Sequence, residues 1–312
     1  MYDSRLSLNK ASALLKLSLL VVVPALLFAA CGDAGENGVA PEADFTAPPD
    51  GGSVAFSFDQ DGSFDLYVLG TDGNLTRLTE EFAFDLRPDW SPDGRRIAFD
   101  SERDSNFEVY VINPDGSGLK NLTNHPADDY DPSWSPDGDR IVFASFRDQV
   151  QGLYLMNANG SGQTRLTDDS VVSYDPSWSP DGELIAFTSE DDGLGEIYLV
   201  RPDGSGLRNI TNHPARDTYP AWSPDGRRIA FVSSRDGNNE IYVMNADGTG
   251  LVNLTNDPAN ESSPSWSRDG SRIVFTSERD GNPEIYAMNA DGSGQMRLSV
   301  NPAEDSFPAW SP

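Results

Sequence analysis

The residues best placed for chemistry in this sequence are carboxylates at one recurring place. Asp85, Asp129, Asp217, Glu261 and Asp305 each stand five positions before a tryptophan, with Ser173 at the remaining such place. Five acids around one mouth would form a negative funnel able to attract a cation or a basic partner. Alternatively each caps its own turn, because Asp bonds readily to nearby backbone N–H groups. Three positions before the same tryptophans the residue type varies: Arg87, Asp131, Asp175, Tyr219, Ser263 and Phe307. A variable position on a regular scaffold is where binding specificity would be written, or else an exposed place that drifts. The acids and the variable residues other than Ser263 are the candidate binding residues, expected at a channel mouth.

A nucleophile–base pair is harder to assemble. His125 and His213, the two histidines, both lie in Thr-Asn-His-Pro-Ala, and Glu81, Asp169, Asp257 and Asn301 take the same place elsewhere. They read as loop residues that follow a turn pattern. No Gly-x-Ser-x-Gly elbow is present, and no catalytic residue is assigned. The acids Asp61, Asp104, Asp148, Asp192, Asp236 and Asp280 recur in a loop, four of them after Arg, and read as loop-fixing hydrogen-bond or ion-pair partners. Asn121, Asn209 and Asn253 match a glycosylation sequon but fall in repeated strands and read as structure. No cofactor is expected, although a divalent cation at the acidic mouth remains open.

Those residues need a frame, and the composition limits which one. Acidic residues outnumber basic ones 50 to 22, a formal net charge of −28. Such a chain repels a phosphate backbone, which excludes nucleic acid as a partner. One cysteine cannot form an intramolecular disulfide. Arg5, Lys10 and Lys16 precede an uncharged run from Leu17 to Ala30. At about 1.5 Å per residue it spans roughly 21 Å, too short for a hydrocarbon core of about 30 Å, and so it reads as a secretory signal. Its end, Leu27-Phe28-Ala29-Ala30-Cys31, resembles the bacterial lipobox, with Phe28 where a smaller apolar residue is usual. That resemblance implies lipidation at Cys31 after removal of residues 1–30. Residues 31–48, rich in Gly, Ala, Pro and acids, read as a disordered tether.

From residue 49 onward the chain is one repeat. Trp90, Trp134, Trp178, Trp222, Trp266 and Trp310 are spaced by 44 residues, a period that points to propeller blades. After each of the first five comes Ser-Pro-Asp-Gly, with Arg268 replacing Pro once. Then follow an apolar run such as Ile97-Ala98-Phe99, a polar loop, a second run such as Ile241-Tyr242-Val243-Met244, and a short segment ending Leu254-Thr255. Each unit thus holds four β segments divided by Gly, Pro, Asp and Asn. Apolar runs without alternation suit strands covered on both faces. The last unit stops where the first begins, so Trp310 is expected to pair with Val54 and close six blades.

The pattern resembles the TolB-like, or WD40-like (PD40), β-propeller repeat. That resemblance implies an all-β six-bladed propeller serving as a non-catalytic interaction module of the cell envelope. The expected partner is an envelope protein or other envelope component, met by a monomer held on a bacterial membrane, facing the periplasm or the outside. The alternatives are a channel enzyme, a glycan lyase or hydrolase, and a propeller that binds a cation or small ligand.

Overall fold

Each blade follows from one division of labour along the repeat. The computed structural model describes residues 44–312 apart from Asp61, Glu81, Asp169, Ser170 and Asp192. The expected signal segment and Cys31 lie outside the described residues, as do Glu81 and Asp169 of the turn position and Asp61 and Asp192 of the loop position. Six four-stranded antiparallel sheets form the blades. In the second blade the strands are Asp85–Trp90, Ile97–Ser101, Glu108–Ile112 and Lys120–Asn121, hydrogen-bonded in that order from the innermost outward. The first blade joins the two ends of the chain. Its innermost strand is Asp305–Trp310, laid against Val54–Asp59 with Trp310 opposite Val54, as the repeat arithmetic predicts. Closure in this way leaves no free inner edge where another chain could pair.

The core lies between blades. Successive side chains of a strand point to opposite faces, and the second strand of each blade exploits this by being large on one side and small on the other. Ile97 and Phe99 point one way and Ala98 the other. Ala55, Leu66 and Val68 of the first blade pack against Trp90, Ile97, Phe99 and Tyr110 of the second. Ala98, Val109 and Val111 of the second pack in turn against Trp134, Ile141 and Phe143 of the third. The ring ends with Val274, Ile285 and Ala287 of the sixth blade against Val54, Phe56 and Trp310. Phe56, Phe99, Phe143, Phe187, Phe231 and Phe275 are all fully buried.

The propeller begins earlier than residue 49. Asp44 and Phe45 pair with Val300 and Ser299, and Thr46 N–H donates to Leu298 O at 2.8 Å. Phe45 sits 6.1 Å from both Phe56 and Phe58, ring to ring. Residues 44–48 are therefore part of the folded unit, which corrects the boundary expected for the tether. The stretch is short and carries no repeat signal, and half-buried Phe45 and buried Pro48 supply its packing.

Candidate functional site

The innermost strand of every blade carries a bulge. In the second blade the register with Ile97–Ser101 shifts between Leu86 and Asp89, and the same shift recurs around the ring. The residue at the bulge is the one three before tryptophan. Arg87, Asp131, Asp175, Tyr219, Ser263 and Phe307 all have φ between 50° and 57°. Left-handed backbone is costly for residues other than glycine, about 1–3 kcal/mol each, and is unusual for Tyr and Phe. A bulge re-aims a side chain, and all six residues line one central cavity of about 330 Å³. The structure thus brings together the five variable candidates Arg87, Asp131, Asp175, Tyr219 and Phe307, with Ser263 as the sixth.

The cavity has a charged side and an aromatic side. Arg87 Nη1 lies 2.7 Å from Asp100 Oδ2, and Nε lies 2.9 Å from Asp131 Oδ1. The guanidinium also stands 5.3 Å from the Phe307 ring centre and 5.7 Å from that of Tyr130, within cation–π range. Backbone N–H groups link the blades: Asp131 N–H donates to Asp100 Oδ1 at 3.1 Å, Asp175 N–H to Asp131 Oδ2 at 3.4 Å, and Tyr219 N–H to Asp175 Oδ2 at 3.4 Å. Across from the carboxylates, the Tyr219 and Phe307 rings stand 6.5 Å apart. Burial, with the Asp131 charge adding to it, pushes the Asp175 carboxyl up to about 8. Burial likewise raises Asp100 to about 7 against the pull of Arg87, and Asp89 to about 7 although it accepts the Trp134 N–H at 2.7 Å. Asp89 and Asp100 were not singled out from sequence. The available signal for Asp100 was a charge closing an apolar run where other blades have Ala144, Thr188, Val232 and Thr276.

The acids five before tryptophan are elsewhere, and the expected funnel is corrected. Asp85, Asp129, Asp217, Glu261 and Asp305 are completely buried. Four of them meet the arginine of the loop that follows the second strand. Asp85–Arg103 is 2.9 Å, Asp129–Arg147 2.6 Å, Asp217–Arg235 2.9 Å and Glu261–Arg279 3.0 Å. Asp305 instead accepts from Asn301 Nδ2 at 2.7 Å. These acids neither cap their own turns nor present charge to a channel. The four that meet arginine tie that loop to the inner strand, because a carboxylate taken out of water needs a partner. Burial pushes Glu261 up to about 7 and Asp305 to about 8.

The remaining candidates have local duties. His125 Nδ1 accepts from Ala127 N–H and His213 Nδ1 from Ala215 N–H, both at 3.1 Å. Asp257 and Asn301 use their side-chain oxygens in the same way, both at 2.9 Å. The loop acids Asp104, Asp148, Asp236 and Asp280 accept the hydroxyls of Tyr110, Tyr154, Tyr242 and Tyr286. Among the described residues no three His, Cys, Asp or Glu side chains converge so as to hold a metal ion, and no helix among them is long and apolar enough to cross a membrane.

The family profile described as the TolB beta propeller domain, PD40, matches residues 38–129, 120–219 and 208–312. The chain belongs to the TolB β-propeller family. No curated protein matches it in sequence. Among solved structures it is similar to TolB from Acinetobacter baumannii, 24% identical with a TM-score of 0.74 over 84% of this chain and 67% of that one. It is similar to the putative TolB from Agrobacterium tumefaciens, 22% identical with a TM-score of 0.68 over 81% and 91%. It is also similar to an oligogalacturonate lyase from Vibrio parahaemolyticus, 18% identical with a TM-score of 0.55 over 78% and 73%. At these identities the likeness is one of fold.

Proposed function

We propose that this member of the TolB β-propeller family is a non-catalytic interaction scaffold, held on a bacterial envelope membrane through lipid on Cys31, whose central channel receives part of an envelope protein. The observation that carries this reading is the bulge ring. Six side chains of five types are held in strained backbone on a repeating frame and line one cavity. Strain of this kind persists where the surroundings impose it, and it gathers at binding sites. The histidines give no support to a channel enzyme, since each ring accepts a backbone hydrogen bond in its own turn.

Affinity capture tests the reading. The full chain is used as bait against envelope extract, beside a Tyr219→Ala/Phe307→Ala variant shown to fold. A partner retained by the parent and lost by the variant supports the scaffold and its channel. Equal retention by both overturns the channel as the site, and retention by neither overturns the scaffold.

A second reading is favoured by one feature. The Asp131 carboxylate, which lines the cavity between Arg87 and Asp175, would suit a cationic small ligand there. Saturable binding without turnover, lost in Asp131→Asn, is its signature.

A further inference from the structure

A second surface lies at the other end of the ring from the channel mouth. The ladders place Asp85, Ser101 and Glu108 at one end of the second blade and Trp90, Ile97 and Ile112 at the other. The cavity reaches the tryptophan end, where Ser267, Arg268 and Pro312 line it. At the carboxylate end, one arc across the first three blades is aromatic. Phe84 stands where the later blades have Asp128, Val172, Arg216, Asn260 and Glu304. Phe64 and Phe107 share a position at the start of the third strand that holds Gly195, Asn239 and Pro283 in the last three blades. Phe146 stands where Glu190, Ser234 and Glu278 follow. Three unrelated positions of the repeat have become aromatic, and all in neighbouring blades.

The rings touch in two groups along the rim. Phe64 and Phe84 are 6.0 Å apart, Phe107 and Tyr130 5.5 Å, and Tyr130 and Phe146 5.8 Å. Phe84 O accepts the Glu102 N–H, and Glu102 adjoins Ser101, which pairs with Glu108. Phe84 and Phe107 therefore flank one edge of the second blade. Phe82, two residues before Phe84, is 93% exposed, and Phe84 is 39% exposed. Phe64, Phe107, Tyr130 and Phe146 are half-buried beneath them, so the arc is a partly exposed apolar surface of the kind that marks an interaction site.

The charge around the arc selects the occupant. Arg103 and Arg147 turn inward to Asp85 and Asp129, and Arg87 to Asp100 and Asp131. Among the acids at this end, Glu80 is exposed two residues before Phe82 and half-buried Asp128 accepts the Phe107 N–H at 3.1 Å, whereas exposed Asp148 is already paired with Arg165 at 3.3 Å. A second copy, itself at −28, or an anionic lipid surface would set like charge against like. We propose that the arc of Phe64, Phe82, Phe84, Phe107, Tyr130 and Phe146 docks a partner-protein segment whose apolar face is bordered by Lys or Arg. The scaffold then has two binding ends, the channel at one and the aromatic arc at the other.

The test uses the full chain and a defined probe, an amphipathic peptide of Leu and Lys, with a Leu and Glu peptide of the same pattern as its counterpart. Fluorescence anisotropy should show saturable binding of the Leu/Lys peptide only. Phe82→Ser/Phe84→Ser should weaken it about ten-fold, as expected when two anchoring rings are lost. Phe82→Ser alone, at a side chain with almost no packing to lose, should weaken it in the same direction. Leu207→Ser, an exposed apolar residue on the fourth blade, should leave it unchanged. Parent-like affinity in the Phe82 variants, or equal binding of the Leu/Glu peptide, overturns the proposal. Either result leaves the channel reading intact, because capture there is judged by Tyr219 and Phe307.

Discussion

Arginine and carboxylate pair across a hairpin in this protein, and the repeat contains its own control. The fourth blade has Ser173 in place of the acid, and there the loop arginine is also missing, with Asp191 at its position. Asp217 is fully buried against Arg235. Arg235→Met would leave that charge without its partner, which costs about 3–5 kcal/mol in a buried site. The double change Arg235→Met/Asp217→Ser copies the natural state of the fourth blade and should recover most of the loss in urea unfolding. A double variant as unstable as the single one would show that the pair is not the reason. The bulge yields a second prediction. Ser263 has φ 51° and its buried hydroxyl has no hydrogen-bond partner. Ser263→Val should be less stable than Ser263→Gly by about 2 kcal/mol, because a β-branched residue resists left-handed backbone and glycine does not. Equal melting temperatures would contradict it. The sequence displays both sets of residues but not their placement. A charged side chain carries no mark of facing inward until its partner is known. The partner arginine lies 18 residues on, for example Arg103 for Asp85. Nor does an Arg, Tyr or Phe announce a left-handed bulge.

At the scale of elements the repeat is legible because its signals are redundant. Tryptophan, the Asp-Gly turn and the apolar runs mark every blade independently, so strand order, the pairing of Trp310 with Val54 and the number of blades all follow. The segment at residues 44–48 has no such redundancy. It occurs once and is held by a two-residue pairing, the Thr46 N–H bond to Leu298 O, the Phe45 ring and buried Pro48. Phe45 packs on the interface between the sixth and first blades, where the ring closes. Phe45→Ala should therefore lower stability by about 1–3 kcal/mol, less than a fully buried phenylalanine would lose because the side chain is partly exposed. Unfolding of the variant at the same urea concentration as the parent would show that the segment adds nothing to closure.

The whole molecule is a strongly acidic ring whose buried carboxyls are pushed up by desolvation. Burial raises Asp89, Asp100 and Glu261 to about 7 and Asp175 and Asp305 to about 8. In the unfolded chain these groups titrate near 4, so between about pH 4 and 8 the folded state binds more protons. Their contribution favours the folded state at low pH and is lost as pH rises through the folded values. Turn acids such as Asp93 and Asp137 are held below their ordinary value by hydrogen bonds from Ser91 and Ser135, and lose their contribution only in acid. The melting temperature should peak near pH 5 and fall toward pH 8.5, and a profile rising over that interval would contradict the buried-acid picture. At the other end of the chain, Cys31→Ser should shift the protein from the membrane to the soluble fraction, and continued sedimentation with membranes would remove the lipid anchor from the account. The central claim, that the channel receives a protein partner, is tested most directly by photo-crosslinking in intact cells. A benzophenone amino acid replaces Tyr219 inside the channel or Leu119 on the outer rim. The account predicts one discrete envelope-protein adduct from position 219 and none of that species from position 119. No adduct from position 219, or the same adduct from both positions, would contradict it.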